Sequence, residues 1–261
     1  MSVWSLLQRK SPWAERVAII CERGTRRHME DFYFVSENRS IYGGVYDGHN
    51  GRYVAERLSA NLGGKFAEYI NSKKSSEESF RRAYQSMGEY LNGQDSGACA
   101  ADFFIRGDII SVANVGDARV VLLYKDERAR QLTELHRLLN RREQERLEGM
   151  EGNGAIIRYP YVVIPGTDKG ILPTRTIGDR EFKPMGIISE PFVHSFKISR
   201  KENNFLIAAT DGLWDFMPIG EVAHLAKGFD SAEKFANFLR EEVLGNRKGN
   251  DNLTMIVMKL G

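Results

Sequence analysis

The sequence predicts an α+β fold: a four-layer αββα sandwich, with two antiparallel β-sheets packed face to face and helix pairs outside. Three observations lead there. Short apolar runs follow one another with only Gly-, Asp- or Asn-containing turns between them, which favours antiparallel neighbours. Helical periodicity arrives in pairs, once after Gly51 and again after Pro218. The strand runs are apolar enough to need cover on both faces, which stacked sheets under helices supply. At 261 residues, 42% hydrophobic and 28% charged, the chain has the make-up of a globular protein with a substantial core. It carries no internal repeat, low-complexity tract or interdomain linker, so residues 1–261 read as one domain.

The elements follow in order. Residues 16–21 (Val17, Ala18, Ile19, Ile20) predict a strand buried on both faces or nearly so. Residues 32–35 and 41–46 predict two more, with a turn at Asn38-Arg39-Ser40. After Gly51 the period changes: Val54, Leu58, Leu62, Phe66 and Ile70 form a helical stripe, weakened in the middle by Gly63-Gly64. Ser75 and Glu78 form a capping-box pattern ahead of a second helix with Phe80, Tyr84, Met87 and Leu91 on one face. Strands at 98–105, 109–115 and 119–124 read as a meander. Residues 136–147 predict a charged helix whose Arg137, Arg141, Arg142 and Arg146 belong to a solvated face, since glutamates interleave them. Residues 148–170, rich in Gly and Pro, predict an irregular, mobile flap. Strands at 192–198 and 205–210, helices at 219–227 and after Ser231, and a last strand at 253–260 complete the chain.

Charge excludes some functions. With 37 basic and 35 acidic residues the formal net charge is +2, which makes no case for nucleic acid or a membrane surface. Cys21 and Cys99 lie far apart in no metal-type spacing and read as buried free thiols. The first residues lack the apolar core of a signal peptide, and no apolar run reaches membrane-spanning length, so a cytoplasmic protein is expected.

The chemistry-bearing stretch is Tyr42-Gly43-Gly44-Val45-Tyr46-Asp47-Gly48-His49-Asn50-Gly51. Taken alone, Asp47-Gly48 is ordinary turn chemistry. Its partners change that. Asp47, Asp117 and Asp211 each follow an apolar strand, and Asp251 precedes one. If those strand ends share a rim, several carboxylates converge, and like charges at close range need a cation. An all-oxygen set selects Mg²⁺, Mn²⁺ or Ca²⁺ rather than zinc.

Six motifs occur in order: Arg26-x-x-Met29-Glu30-Asp31, Val45-Tyr46-Asp47-Gly48-His49-Asn50-Gly51, Ala113-Asn114-Val115-Gly116-Asp117-Ala118-Arg119, Arg175-Thr176-Ile177-Gly178-Asp179, Asp211-Gly212-Leu213-Trp214-Asp215 and Asp251-Asn252-Leu253-Thr254. Together they resemble the metal-dependent protein phosphatases of the PPM, or protein phosphatase 2C, type, over residues 17–259. The resemblance implies hydrolysis of phosphoserine and phosphothreonine in protein substrates, with two Mn²⁺ or Mg²⁺ ions. Asp47 would bridge both ions, with the Gly48 carbonyl and Glu30 serving one and Asp211 and Asp251 the other. Asp117 matches a weaker third-metal position. Arg26 would grip the phosphate, and His49 would be the general acid. Asp31, Asp215 and Asn252 would support ligands rather than bind. Two ions about 3.5–4 Å apart ionise a shared water for in-line attack, a guanidinium suits phosphate oxygens, and a histidine protonates the poor alkoxide leaving group. A monomer is expected.

The chain departs from the family pattern at Asn50, where Gly is usual, at Ala98-Cys99, at Leu135 and at Pro173-Thr174. Arg175 and Asp179 are expected to pair and brace a loop. Two other functions remain open: a pseudophosphatase that keeps the fold and recruits partners, and a phosphoesterase acting on small phosphates.

Overall fold

A computed structural model of the chain describes residues 16–37, 40–150 and 156–261. The strands are β1 (Val17–Glu22), β2 (Phe32–Glu37), β3 (Ile41–His49), β4 (Gly97–Arg106), β5 (Ile109–Val115), β6 (Arg119–Tyr124), β7 (Ala129–Gln131), β8 (Ile156–Arg158), β9 (Tyr161–Val163), β10 (Gly170–Ile171), β11 (Ile177–Gly178), β12 (Phe192–Lys197), β13 (Asn203–Ala209) and β14 (Leu253–Lys259). The helices are α1 (Tyr53–Asn71), α2 (Ser76–Leu91), α3 (Arg141–Glu148), α4 (Asp211–Trp214), α5 (Ile219–Ala226) and α6 (Ala232–Arg240).

Two large antiparallel sheets form the centre. One runs β1-β14-β13-β6-β7; the other runs β12-β5-β4-β3-β2, with β11 pairing the start of β4. Val45, Phe103, Val112, Val120, Leu206 and Ile256 pack between the sheets. α1 and α2 cover the outer face of the second sheet through Leu58, Phe66, Phe80 and Tyr84. α5 and α6 cover the first through Val222, Phe235 and Leu239. The helical stripe read from sequence is the buried stripe of α1, and the four predicted layers are all present.

Several local expectations change. Among the described residues β1 is an edge strand paired with β14 alone, half-buried, with Ile19 and Cys21 exposed. Cys21 is thus an exposed thiol and Cys99 a buried one. The meander breaks after β5: β6 crosses to the other sheet and pairs with β13 and β7. This crossing carries the Gly116-Asp117 turn over the rim of the sandwich. Ser75 caps α2 by accepting from the Glu78 amide, but the Glu78 carboxylate pairs with Arg82 rather than reaching back. Gly63 does not interrupt α1; a Cβ there would lie 2.4 Å from the Phe34 ring, so the glycine admits β2 against the helix.

The predicted helix at 136–147 begins only at Arg141, capped by Asn140. Arg137 and Arg146 are not on a solvated face; both are largely buried and ion-paired. Within the predicted flap, residues 151–155 lie outside the described residues. What is described is regular: β8, β9 and β10 form a small antiparallel sheet. Val162 and Ile171 pack with Leu138, Leu147 and Ile187 into a satellite core.

Candidate metal centre

The site lies where strands end. β3 runs on through Asp47, Gly48 and His49, which pair with Cys99, Ala98 and Gly97 of β4. The turn read at Asp47-Gly48 is therefore strand, and the left-handed backbone comes later, at Asn50 (φ 54°) and Gly51 (φ 110°). Asn tolerates that region better than most residues, which accounts for its place there. Asp117 comes from the β5–β6 turn, Asp211 from the first residue of α4, and Asp251 from the loop ahead of β14.

These segments meet in a cleft of about 310 Å³ lined by Arg26, Glu30, Asp47, Gly48, His49, Asp117, Asp211, Asp251 and Asn252. Asp31 and Asp215, expected to play supporting roles, stand outside it. A larger cavity of about 620 Å³ lies between α2 and residues 183–191 and contains none of the motif residues. Carboxylate oxygens of Asp47, Asp117 and Asp211 all lie within 4.8 Å of one another. Burial, and then the charge of Asp211, pushes the Asp47 carboxyl well above its ordinary pKa. Burial, followed by Asp117 and Asp215, raises Asp211 to about 7. Such crowding is what a divalent cation would relieve, and the donors are all oxygens. The residues present therefore fit Mg²⁺ or Mn²⁺.

The other predicted residues are placed as follows. Arg26, more than half exposed at the mouth, donates from Nη2 to Asp251 Oδ2 at 2.6 Å and from Nε to the Asn250 carbonyl at 3.1 Å. Glu30 accepts from the Gly51 amide through Oε1 at 2.6 Å, which fixes the turn after His49. Asn252 accepts from the Glu30 amide and donates to the carbonyls of Arg23 and His28, clamping the loop that carries Arg26 and Glu30. Asp31 is buried beneath the cleft, where Thr210 Oγ1 donates to it at 2.9 Å. Asp215 pairs with Arg137.

His49 is half-buried, with Nε2 2.8 Å from Asp179 Oδ2. Burial, the largest single influence, lowers its pKa, but the bond and charge of Asp179 with the charges of Asp117 and Glu30 together raise it. Asp179 reaches the ring because residue 97 is glycine: a Cβ there would fall 1.9 Å from Asp179 Oδ2. The expected Arg175–Asp179 pair does not form. Arg175 instead binds Glu143 at 2.6 Å, and Glu143, although 1% exposed, also takes Arg146 and Thr174. Burial would raise the Glu143 pKa, but these partners hold it down to about 2. Cys99 also lines the cleft, its thiol pushed up by burial and then by Asp117, and Gly116 leaves room for its sulfur.

Two residues of the site escaped the sequence reading. Asp179 stood in a quoted motif but with the wrong partner. The sequence places Arg137 on a solvated helix face, yet it bonds Asp117, Asp211 and Asp215.

The fold and the site together define a helix-covered β-sandwich with a carboxylate-lined cleft on its rim. The match to known proteins is more particular. The family model for protein phosphatase 2C matches residues 15–251, and the chain belongs to that family. It is 32% identical over 256 residues to probable protein phosphatase 2C 11 of Arabidopsis thaliana, covering 91% of this chain and 64% of that one. It is equally 32% identical to probable protein phosphatase 2C 52 of Oryza sativa subsp. japonica, of whose length it spans 49%. Among solved structures, serine-threonine phosphatase 2C from Toxoplasma gondii superposes with a TM-score of 0.78 at 18% identity, covering 94% of each chain. A C. elegans sex determining protein gives 0.81 at 21% identity, over 95% of this chain and 66% of that one. No helix among the described residues is long and apolar enough to cross a membrane.

Proposed function

We propose that the chain is a metal-dependent protein serine/threonine phosphatase, one catalytic domain that releases phosphate from phosphoserine and phosphothreonine. The observation that supports it is convergence. Residues separated by up to 225 positions, Arg26 and Asp251, come into bonding contact at one carboxylate-rich cleft. We assign Asp47, the Gly48 carbonyl, Asp211, Asp251 and Glu30 to hold two Mn²⁺ or Mg²⁺ ions. Bound cations of this kind supply a water of lowered pKa and neutralise phosphoryl charge.

The chain's own side chains do the rest. Arg26 offers paired donors to the phosphate oxygens from the mouth of the cleft, where its pairing with Asp251 keeps it close by. His49 carries the proton for the leaving serine or threonine oxygen. Asp179 raises its pKa, so the ring is protonated at a higher pH than a free histidine. Asp31 and Asn252 fix the backbone on which these groups stand.

The reading is tested with a phosphothreonine peptide and Mn²⁺, with and without chelator. Phosphate release that chelator abolishes is expected; absence of any metal-dependent release sinks the enzyme reading and leaves a binding role.

A further inference from the structure

Arg137 makes an unusual set of contacts for a surface-type residue. Its side chain is 13% exposed. Nε donates to Asp117 Oδ2 at 2.6 Å, Nη1 and Nη2 donate to the two oxygens of Asp215 at 3.2 Å each, and Nη2 also reaches Asp211 Oδ2 at 3.3 Å. One planar cation thus bonds carboxylates from the β5–β6 turn and from both ends of α4, on the side of Asp211 where Asp117 lies.

The contact is built in. The Asn114 side chain donates to the Glu134 carbonyl and accepts from its amide. His136 accepts from the Gly116 amide through Nδ1, and the Gly116 carbonyl accepts from the His136 amide. These bonds clip residues 134–136 to residues 114–116, directly ahead of Arg137 and Asp117. On the other side the Thr174 amide donates to the His136 carbonyl, and Arg137 forms a backbone bridge with Pro173. The guanidinium is delivered to Asp117 by backbone held from both sides.

We propose that Arg137 is a tethered cation occupying the third cation position of this centre, so that the chain works with two exchangeable ions and Asp117 holds Arg137 instead of a metal. This rests on the two-ion phosphatase reading above. The physical ground is competition. A divalent ion reaching Asp117 and Asp211 from this side would have to displace donors at 2.6 and 3.3 Å. It would also leave a mostly buried guanidinium with the exposed Asp215 as its remaining carboxylate partner, and a guanidinium has no accessible neutral form with which to escape that cost. Arg137 is a positioning residue in this scheme: it neutralises and orients Asp117 and Asp211 without touching substrate.

The test counts ions rather than turnover. Mn²⁺ bound per chain is measured by equilibrium dialysis to saturation for the wild type, Arg137→Ala and Arg137→Met, the last keeping the bulk of the side-chain stem. Two ions are expected for the wild type and three for either variant, with the additional ion lost again when Asp117→Asn is added. Three ions in the wild type overturn the proposal. So do two ions in a variant whose circular dichroism matches the wild type, or a third ion that survives Asp117→Asn. A wild type that binds no Mn²⁺ overturns the phosphatase reading and this inference with it, which separates the two failures.

Discussion

The second sheet carries two acidic clusters on opposite faces, and they are handled in opposite ways. Asp102, on β4, is 0% exposed and points toward α1 and α2. Its carboxylate accepts from the hydroxyls of Tyr42, Tyr46 and Tyr84 at 2.7, 2.8 and 2.5 Å. Burial pushes its pKa up to about 6 even though these three bonds pull the other way. Asp47, on β3, is met by the carboxyl of Asp211 instead of by a hydroxyl or amide. The first cluster is satisfied by hydroxyls, whereas in the second Arg137 pairs with Asp117 and Asp211 and Asp47 stays against the Asp211 carboxyl. Burial of an acid therefore does not mark a functional site; an acid buried against other acids does.

The largest expected effect separates the two clusters outright. Asp47→Asn removes the proposed metal ligand and one of the repelling charges. Metal-dependent hydrolysis of a phosphothreonine peptide should fall by about a thousandfold, the several kcal/mol that cation stabilisation supplies. The melting temperature in chelator should stay level or rise, because the crowding is relieved. A variant that loses activity by unfolding in chelator would put Asp47 in the same class as Asp102.

Asp102→Ala should do the reverse. Three tyrosine hydroxyls lose their acceptor inside a packed core, so stability should drop by about 3 kcal/mol. Activity per folded molecule should be retained, since no atom of this cluster lines the cleft. Denaturant titration beside an active-fraction assay reads both numbers. Lost activity in the folded fraction would mean that the helix-side cluster communicates with the rim.

A smaller effect falls on the donor pair. Asp179→Asn removes the group that raises the His49 pKa. The limb of the kcat profile that reports loss of the His49 proton should move to lower pH, and kcat at neutral pH should fall about tenfold with KM little changed. An unmoved profile would make Asp179 a brace and nothing more.

What the sequence made legible follows from range. Strand and helix periods are local, so four layers and most elements were readable. Asp47, Asp117, Asp211 and Asp251 were readable because each adjoins an apolar run, and the motif order supplied their common address. Partnerships were not local. His49 and Asp179 are 130 positions apart, and Arg137 and Asp215 are 78 apart. Interleaved glutamates made Arg137 look like one face of a surface helix, although the helix starts four residues later. Nothing adjacent in sequence marks the role of Asp102, because its tyrosines come from β3 and α2. The flap's glycines and prolines hid a small sheet whose core residues, Val162 and Ile171, are too few to show a period.

The smallest expected effect is the one that compares the clusters in a single experiment. Asp47 and Asp211, and Asp31 beneath them, all have folded pKa values raised by burial first; Asp31 and Asp211 reach about 7. Asp102 is raised to about 6 for the same first reason. An unfolded carboxyl titrates near about 4. In the metal-free protein these groups hold protons between about pH 4 and 7 that the unfolded chain has already released. Their protonation stabilises the fold at the acid end, and that contribution is lost as pH rises through the folded values. Stability in chelator should therefore decline from pH 5 to pH 8. Saturating Mn²⁺ keeps the rim carboxylates ionised and paired, so their share of the decline should vanish, while the Asp102 share, out of reach of any cation in the cleft, should persist near pH 6. Denaturant midpoints at pH 5, 6, 7 and 8, with chelator and with Mn²⁺, separate the two shares, and Asp102→Asn should flatten what Mn²⁺ leaves. Identical pH profiles with and without the metal would show that the rim acids are satisfied by the protein alone, as Asp102 is.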